Sequence, residues 1–167
     1  YHMADMGSVR AFDARTGVHR WTTPLVASRA CYSVPCIYQA PGGKPELLFI
    51  TTSEGAFALD PHTGKENWRV PGVFKMRVVC TPLLAGDLIF GSTGSGGGGN
   101  CLTAVRVSPP RGTAYTMKNS APYVPSVVAK DDMLFVFADK GFVSCVDLQT
   151  GAGHWRERLG TGFSGSP

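Results

Sequence analysis

Ala58-Leu59-Asp60-Pro61-His62-Thr63-Gly64-Lys65-Glu66-Asn67-Trp68 is the stretch from which the rest of the chain can be read. Its skeleton, Ala-x-Asp-x-x-Thr-Gly-x-x-x-Trp, stands earlier as Ala11, Asp13, Thr16, Gly17 and Trp21. It returns as Cys145, Asp147, Thr150, Gly151 and Trp155, with Cys in the Ala place. Between the second and third copies, residues 102–107 begin in the same strand-like way, but Arg106 replaces Asp and no Trp follows. The intervals Asp13 to Asp60, Asp60 to Arg106 and Arg106 to Asp147 are 47, 46 and 41 residues. That is the period of a four-stranded unit in a propeller.

Each residue type in the skeleton has a physical reason. A strand ends at Asp, whose carboxylate accepts backbone N–H groups within the turn; Thr can do likewise, and Gly supplies a positive φ. The chain then reverses into a strand that presents Trp. In a repeat, that ring buries a large apolar area against the neighbouring unit, where Ala or the turn Gly leaves room for it.

These three phrases resemble the tryptophan-docking motif of the PQQ-like (pyrroloquinoline quinone) β-propeller repeat family, which includes BamB-like outer-membrane assembly scaffolds and quinoprotein dehydrogenases. The resemblance implies an all-β fold: a β-propeller of four-stranded antiparallel blades. About three and a half blades are expected, an open arc of a ring of seven or eight. The division expected over 1–167 is a half blade at 1–25, a blade at 26–72, a degenerate blade at 73–119, a blade at 120–160 and the start of another at 161–167. On this reading the chain is a piece of a longer protein.

Composition fits a β-rich chain: 21 Gly among 167 residues and a formal charge of +4. Lys and Arg are scattered, so no basic stripe follows a phosphate backbone and no nucleic acid is expected as partner. No apolar run approaches the ~20 residues of a membrane-spanning helix. The five cysteines (Cys31, Cys36, Cys80, Cys101, Cys145) form no C-x-x-C pair and the four histidines are dispersed, so no metal site is expected. Cys36, Cys80, Cys101 and Cys145 fall in strand-like runs and read as small buried hydrophobes. A Cys31–Cys36 disulfide is left open.

Strands are expected near 9–13, 21–25, 33–39, 46–52, 56–60, 66–70, 78–84, 88–91, 100–107, 123–129, 133–138, 142–147 and 154–159. Residues 91–100, rich in Gly, lack the closing Lys and Ser or Thr of a phosphate-binding loop and read as a long flexible hairpin connection. Residues 109–112 replace the motif turn, and Tyr115 is expected to fill part of the missing Trp's place.

A second landmark keeps time with the first. Pro35 and Pro82 each lie fourteen residues after a motif Trp, and Pro167 lies twelve after Trp155. By analogy with propellers this marks the return to the inner strand, which brings Arg29, Tyr32, Arg77, Tyr123 and Phe163 nearest a channel mouth.

No pair of nucleophile and base, paired carboxylates or metal cluster emerges, because the aspartates are mostly committed to turns. No catalytic, cofactor-binding or metal-binding residue is therefore assigned. The expected function is a non-catalytic scaffold, for which the resemblance implies a BamB-like role in outer-membrane protein assembly, recognising a protein or small ligand at the propeller face beside the remaining blades of the same ring. The resemblance also implies an exported, periplasmic or cell-envelope protein of a bacterium. The alternative is part of a PQQ- and calcium-dependent quinoprotein dehydrogenase. Many enzymes of that kind stack PQQ between a Trp and a disulfide of adjacent cysteines, and this sequence has no adjacent cysteines. A third reading, the sensing part of a signalling chain, is neither favoured nor opposed by any residue.

Overall fold

The computed structural model describes residues 2–3, 7–26, 31–95 and 98–167, with only the strand assignment for His2 and Met3. Among them there is no helix; four antiparallel sheets follow one another along the chain. The first holds β1 (His2–Met3), β2 (Ser8–Phe12) and β3 (His19–Pro24). The second holds β4 (Cys36–Gln39), β5 (Pro45–Thr51), β6 (Gly55–Leu59) and β7 (Glu66–Val70). In the third, β8 (Arg77–Val78) and β9 (Leu83–Ala85) both pair with β10 (Leu88–Ser95), followed by β11 (Gly98–Arg106) and β12 (Gly112–Met117). The fourth holds β13 (Val128–Lys130), β14 (Met133–Ala138), β15 (Phe142–Asp147) and β16 (Gly153–Arg158). This is an open, unclosed arc of propeller blades.

The core lies between sheets. Val9, Phe49, Phe57 and Leu59 join the first to the second. Leu48, Ile50, Trp68, Phe74, Ile89 and Val105 join the second to the third, and Leu88, Phe90, Leu102, Leu134 and Val146 join the third to the fourth. A strand with a neighbouring sheet on each face has no solvent side. Accordingly all five residues of β6, Gly-Ala-Phe-Ala-Leu, are buried, and no polar alternation survives in its sequence.

The three motif turns superimpose in their hydrogen bonding. Oδ1 of Asp13 accepts the N–H groups of Arg15 and Thr16 and the Thr16 hydroxyl, at 3.1, 2.9 and 2.9 Å. Asp60 takes the same bonds from His62 and Thr63, and Asp147 from Gln149 and Thr150. The N–H of Gly17, Gly64 or Gly151 donates to the carbonyl of its Asp at 2.9 Å in every copy. All three glycines sit at φ +72°. The register slips by one residue just before the Asp in each, and the ladder opposes Ala11 to Trp21, Ala58 to Trp68 and Cys145 to Trp155.

The worn unit keeps this frame with different chemistry. Ala104 opposes Tyr115, with the same slip after it. Where Asp is missing, Asp87 at the head of β10 supplies the carboxylate: it accepts the Ser108 N–H at 2.9 Å and hydroxyl at 2.7 Å, and pairs with Arg106 at 3.2 Å.

Junctions between sheets follow from these registers. The Trp21 indole lies on the second sheet's turn, its Nε1 donating to Pro61 O at 3.1 Å; a Cβ on Gly64 would stand 2.4 Å from the Trp21 ring. Tyr115 repeats the arrangement one junction later. Its hydroxyl donates to Leu148 O at 2.9 Å, and a Cβ on Gly151 would come within 2.6 Å of its ring. Pro61 and Leu148 each follow a motif Asp, so the phenol takes the indole's place. Trp68, 8% exposed, meets the replaced turn: its Nε1 donates to Glu46 at 3.0 Å and the Arg111 guanidinium lies 5.0 Å from its ring. Trp155 is 45% exposed on the outer strand of the last sheet.

Several strand expectations need correction. The glycine-rich segment is not a long loop: β10 and β11 run through it as a hairpin, pairing as far as Ser95 with Gly98. Two of its glycines are there for close packing: a Cβ on Gly91 would stand 2.7 Å from Ile50 and Phe74, and one on Gly94 2.3 Å from Asn100. The first strand of the fourth sheet begins at Val128, not near Tyr123, and that of the second at Cys36, not near Ser33. Pro122, Pro125 and Pro35 carry no N–H for a ladder. A proline, Pro82, also lies in the gap between β8 and β9. The first sheet gains β1 beyond the two strands expected.

All five cysteines are free thiols, so the Cys31–Cys36 bridge is absent. Cys80 and Cys145 are buried as expected; Cys36 and Cys101 are only half-buried. Burial pushes the Cys31, Cys36 and Cys80 thiols above their ordinary pKa.

Candidate ligand-binding edge

Antiparallel pairing sorts the loops of each sheet onto two edges. In the fourth sheet Phe142 pairs with Arg158, so the β14–β15 turn and the exit from β16 lie on one edge, while the motif turn lies on the other. Val146 opposes Gly153 at that second edge, where Leu148 N–H also bonds Asp132 O at 2.9 Å. On the motif edge the aspartates are engaged in their own turn bonds. The connecting edge carries the chain from sheet to sheet.

Of the residues expected at a channel mouth, Tyr32, Tyr123 and Phe163 fall on connections at this edge and Arg77 opens β8; Arg29 lies outside the described residues. Tyr32 is 61% exposed and its N–H bonds Val78 O at 3.1 Å, beside exposed Arg77, which pairs with Gly94. Tyr123 and Phe163 gather around Asp139. The Tyr123 N–H donates to Asp139 Oδ2 at 2.6 Å, and the Phe163 N–H to Asp139 O at 3.1 Å. Phe163 also meets Phe137 edge-on, with ring centroids 5.9 Å apart. Among the described residues, Tyr32 thus lies with Arg77, and Tyr123 with Phe163.

Asp139 sits in the turn between β14 and β15. It also ties three segments together, because its carboxylate accepts Val124 N–H at 3.2 Å and the Asn100 amide at 3.3 Å besides Tyr123. Glu54, in the corresponding turn of the second sheet, accepts the Val26 N–H from the connection entering that sheet. An acid in two of the hairpin turns, Glu54 and Asp139, was the signal available; hairpin composition alone made it look local.

Beside Asp139 opens a cavity of about 580 Å³ between the third and fourth sheets, bordered by Asn100, Lys118, Tyr123, Asp139, Lys140 and Arg156. A second, of about 320 Å³, shares Asn100 and Lys118 and reaches Lys75 and Met76. The sequence singled out none of these basic residues, since they are far apart along the chain. Among the described residues no cluster of three His, Cys, Asp or Glu side chains could hold a metal ion.

The repeat geometry agrees with what comparison with known proteins finds. The sequence profile of the PQQ-like repeat family described as outer membrane protein assembly factor BamB matches residues 5–113. The chain belongs to the BamB family. A search of curated proteins finds no match to this BamB-family sequence. Among solved structures, BamB from Moraxella catarrhalis is similar with a TM-score of 0.62 and 19% identity, over 91% of this chain and 42% of that one. The Swd1 β-propeller domain of Myceliophteria thermophila gives 0.68 and 16%, over 96% and 52%. The computationally designed Ika8 protein gives 0.66 and 11%, over 96% and 46%. At such identities the likeness shows the fold alone. The BamB-family chain spans about half the length of these structures.

Proposed function

We propose that this chain is a non-catalytic recognition scaffold that offers its connecting edge to a polypeptide partner, in outer-membrane protein assembly within a bacterial envelope. The observation that carries the reading is how the chemistry-bearing residues are used. The three motif aspartates are spent on turns, and Trp21 and Trp68 on sheet junctions. Lys75, Lys118, Lys140 and Arg156, which have no such duty, border the two cavities of the connecting edge, while a third cavity of about 380 Å³ runs along β16 to Gly151 and Gly153. Family membership supports the envelope location and the assembly role. No helix of the described residues is long and apolar enough to cross a membrane, which says nothing of a strand-built span.

No cofactor is part of this proposal. A PQQ stack of the kind described above needs a free Trp beside adjacent cysteines. The cysteines here are nowhere adjacent in sequence, and two of the three Trp are wedged between sheets. The residues of this stretch do not fit the group.

The test is a photo-crosslinking amino acid placed at Tyr123 or Phe163, compared with Lys44 and His62 on the motif edge, in bacterial cells. Polypeptide adducts from the connecting edge alone are expected. Adducts from both edges alike, or saturable calorimetric binding of PQQ with calcium accompanied by dye reduction, would overturn the reading.

A further inference from the structure

The two cavities on the connecting edge share Asn100 and Lys118 and so form one groove across the hairpins of the third and fourth sheets. Its charge is one-sided. Lys75, Lys118, Lys140 and Arg156 border it, against Asp139 as the single acid. That acid is already occupied by two backbone N–H groups and the Asn100 amide. None of the four cations makes an ion pair among the described residues; the ion pairs there are those of Arg20, Arg69 and Arg106.

Arg156 is held in place without being neutralised. Its guanidinium lies 4.0 Å from the Phe142 ring centroid, and Arg158, two residues on and so on the same face of β16, lies 5.6 Å from the same ring. Stacking on an aromatic face leaves the in-plane N–H donors of a guanidinium free for a carboxylate.

We propose that this groove binds an acidic polypeptide segment, whose carboxylates lie between Lys118, Lys140 and Arg156. This rests on the recognition reading above and names its partner's chemistry. The groove reaches from Lys75 on the connection into the third sheet to Arg156 on the outer strand of the fourth. The four cations stand on four separate segments, the connections that hold Lys75 and Lys118, the β14–β15 turn with Lys140 and β16 with Arg156, which suits carboxylates spread along a chain. Single-stranded nucleic acid binds by stacking bases on exposed rings, and here the Phe142 face carries guanidinium groups while the Tyr123 ring packs on Gly94.

The experiment is fluorescence anisotropy of a fluorescein-labelled glutamate-rich peptide titrated with the full chain. A Lys118→Glu/Lys140→Glu variant is expected to weaken binding about tenfold or more. A Lys44→Glu/Lys65→Glu variant carries the same charge change on the opposite edge and is expected to weaken it less than about twofold. Affinity should fall as salt is raised, because the groove is open to solvent. Circular dichroism establishes that both variants are folded. Equal weakening by both variants would overturn the proposal, as would tighter binding of a single-stranded oligonucleotide or equal affinity for free glutarate. If the Tyr123 crosslink to a protein persists in the Lys118→Glu/Lys140→Glu variant, the recognition scaffold stands and the acidic-segment inference falls. Loss of the crosslink in that variant alone supports both.

Discussion

Replacing Gly17, Gly64 and Gly151 by Ala, one at a time, separates backbone strain from sheet packing within one motif. All three glycines have φ +72°. An L-residue in that left-handed region costs roughly 1–2 kcal/mol, and this part is common to the three. The surroundings differ. Nothing lies within 4 Å of a Cβ at Gly17, so Gly17→Ala should cost only that strain. At Gly64 the Cβ would stand 2.4 Å from Trp21 Cε3 and 2.7 Å from Thr23 Oγ1, and at Gly151 2.6 Å from Tyr115 Cε2. The ring must move off the turn, and overpacking of this kind adds about 1–3 kcal/mol. The expected totals are about 1–2 kcal/mol at Gly17 and about 2–5 kcal/mol at the other two. Urea denaturation followed by circular dichroism gives the differences. Hydrogen exchange of the turn peptides accompanies it, because end sheets can open locally before the whole unfolds. Equal costs at all three positions, or the largest at Gly17, would refute the claim that these glycines are docking points for the preceding sheet's aromatic ring.

Trp68→Ala should destabilise by about 3–5 kcal/mol, since it empties a buried junction and strips Glu46 and Arg111 of a partner; a cost below that of an exposed substitution in the same denaturation assay would contradict the junction. Asp13 is held at about 2 by Arg20 and the Thr16 groups, and turn bonds also depress Asp60 and Asp147, chiefly from Thr63 and Thr150. Folded pKa values below the unfolded one (~3.9 for Asp) stabilise above it, so thermal stability should fall as pH drops from about 4 toward 2. Asp→Asn at positions 13 and 147 should flatten that slope in melts taken across the range. Tyr115 is pushed up to about 12, by burial first and then by the Asp147 charge. Its stabilising contribution is whole below the unfolded value (~10) and is lost as pH rises from about 10 to 12. Tyr115→Phe should remove that alkaline loss in the same melts, and an unchanged profile would show that the phenol is not buried at the junction beside Asp147.

The repeated residues were legible because a turn is local chemistry. Asp, Thr and Gly within five positions close the same hydrogen bonds wherever the chain puts them, and an interval near 46 residues then reveals the four-stranded unit. Asp13 to Gly17 and its two copies therefore determined the fold class and the strand order without any distant contact. What the tertiary structure alone decided depends on neighbours remote in sequence. Tyr115 could be expected in the Trp's place, but only the fold brings its ring onto Gly151, and Asp87 stands for an Asp because strand pairing carries it to Ser108 and Arg106. The glycines of β10 became strand because Phe74 and Ile50 press on Gly91. The basic groove exists only once Lys75, Lys118, Lys140 and Arg156, separated by 43, 22 and 16 residues in the chain, meet along one edge. Charge has no period to betray it, whereas a turn carries its own signature in five residues.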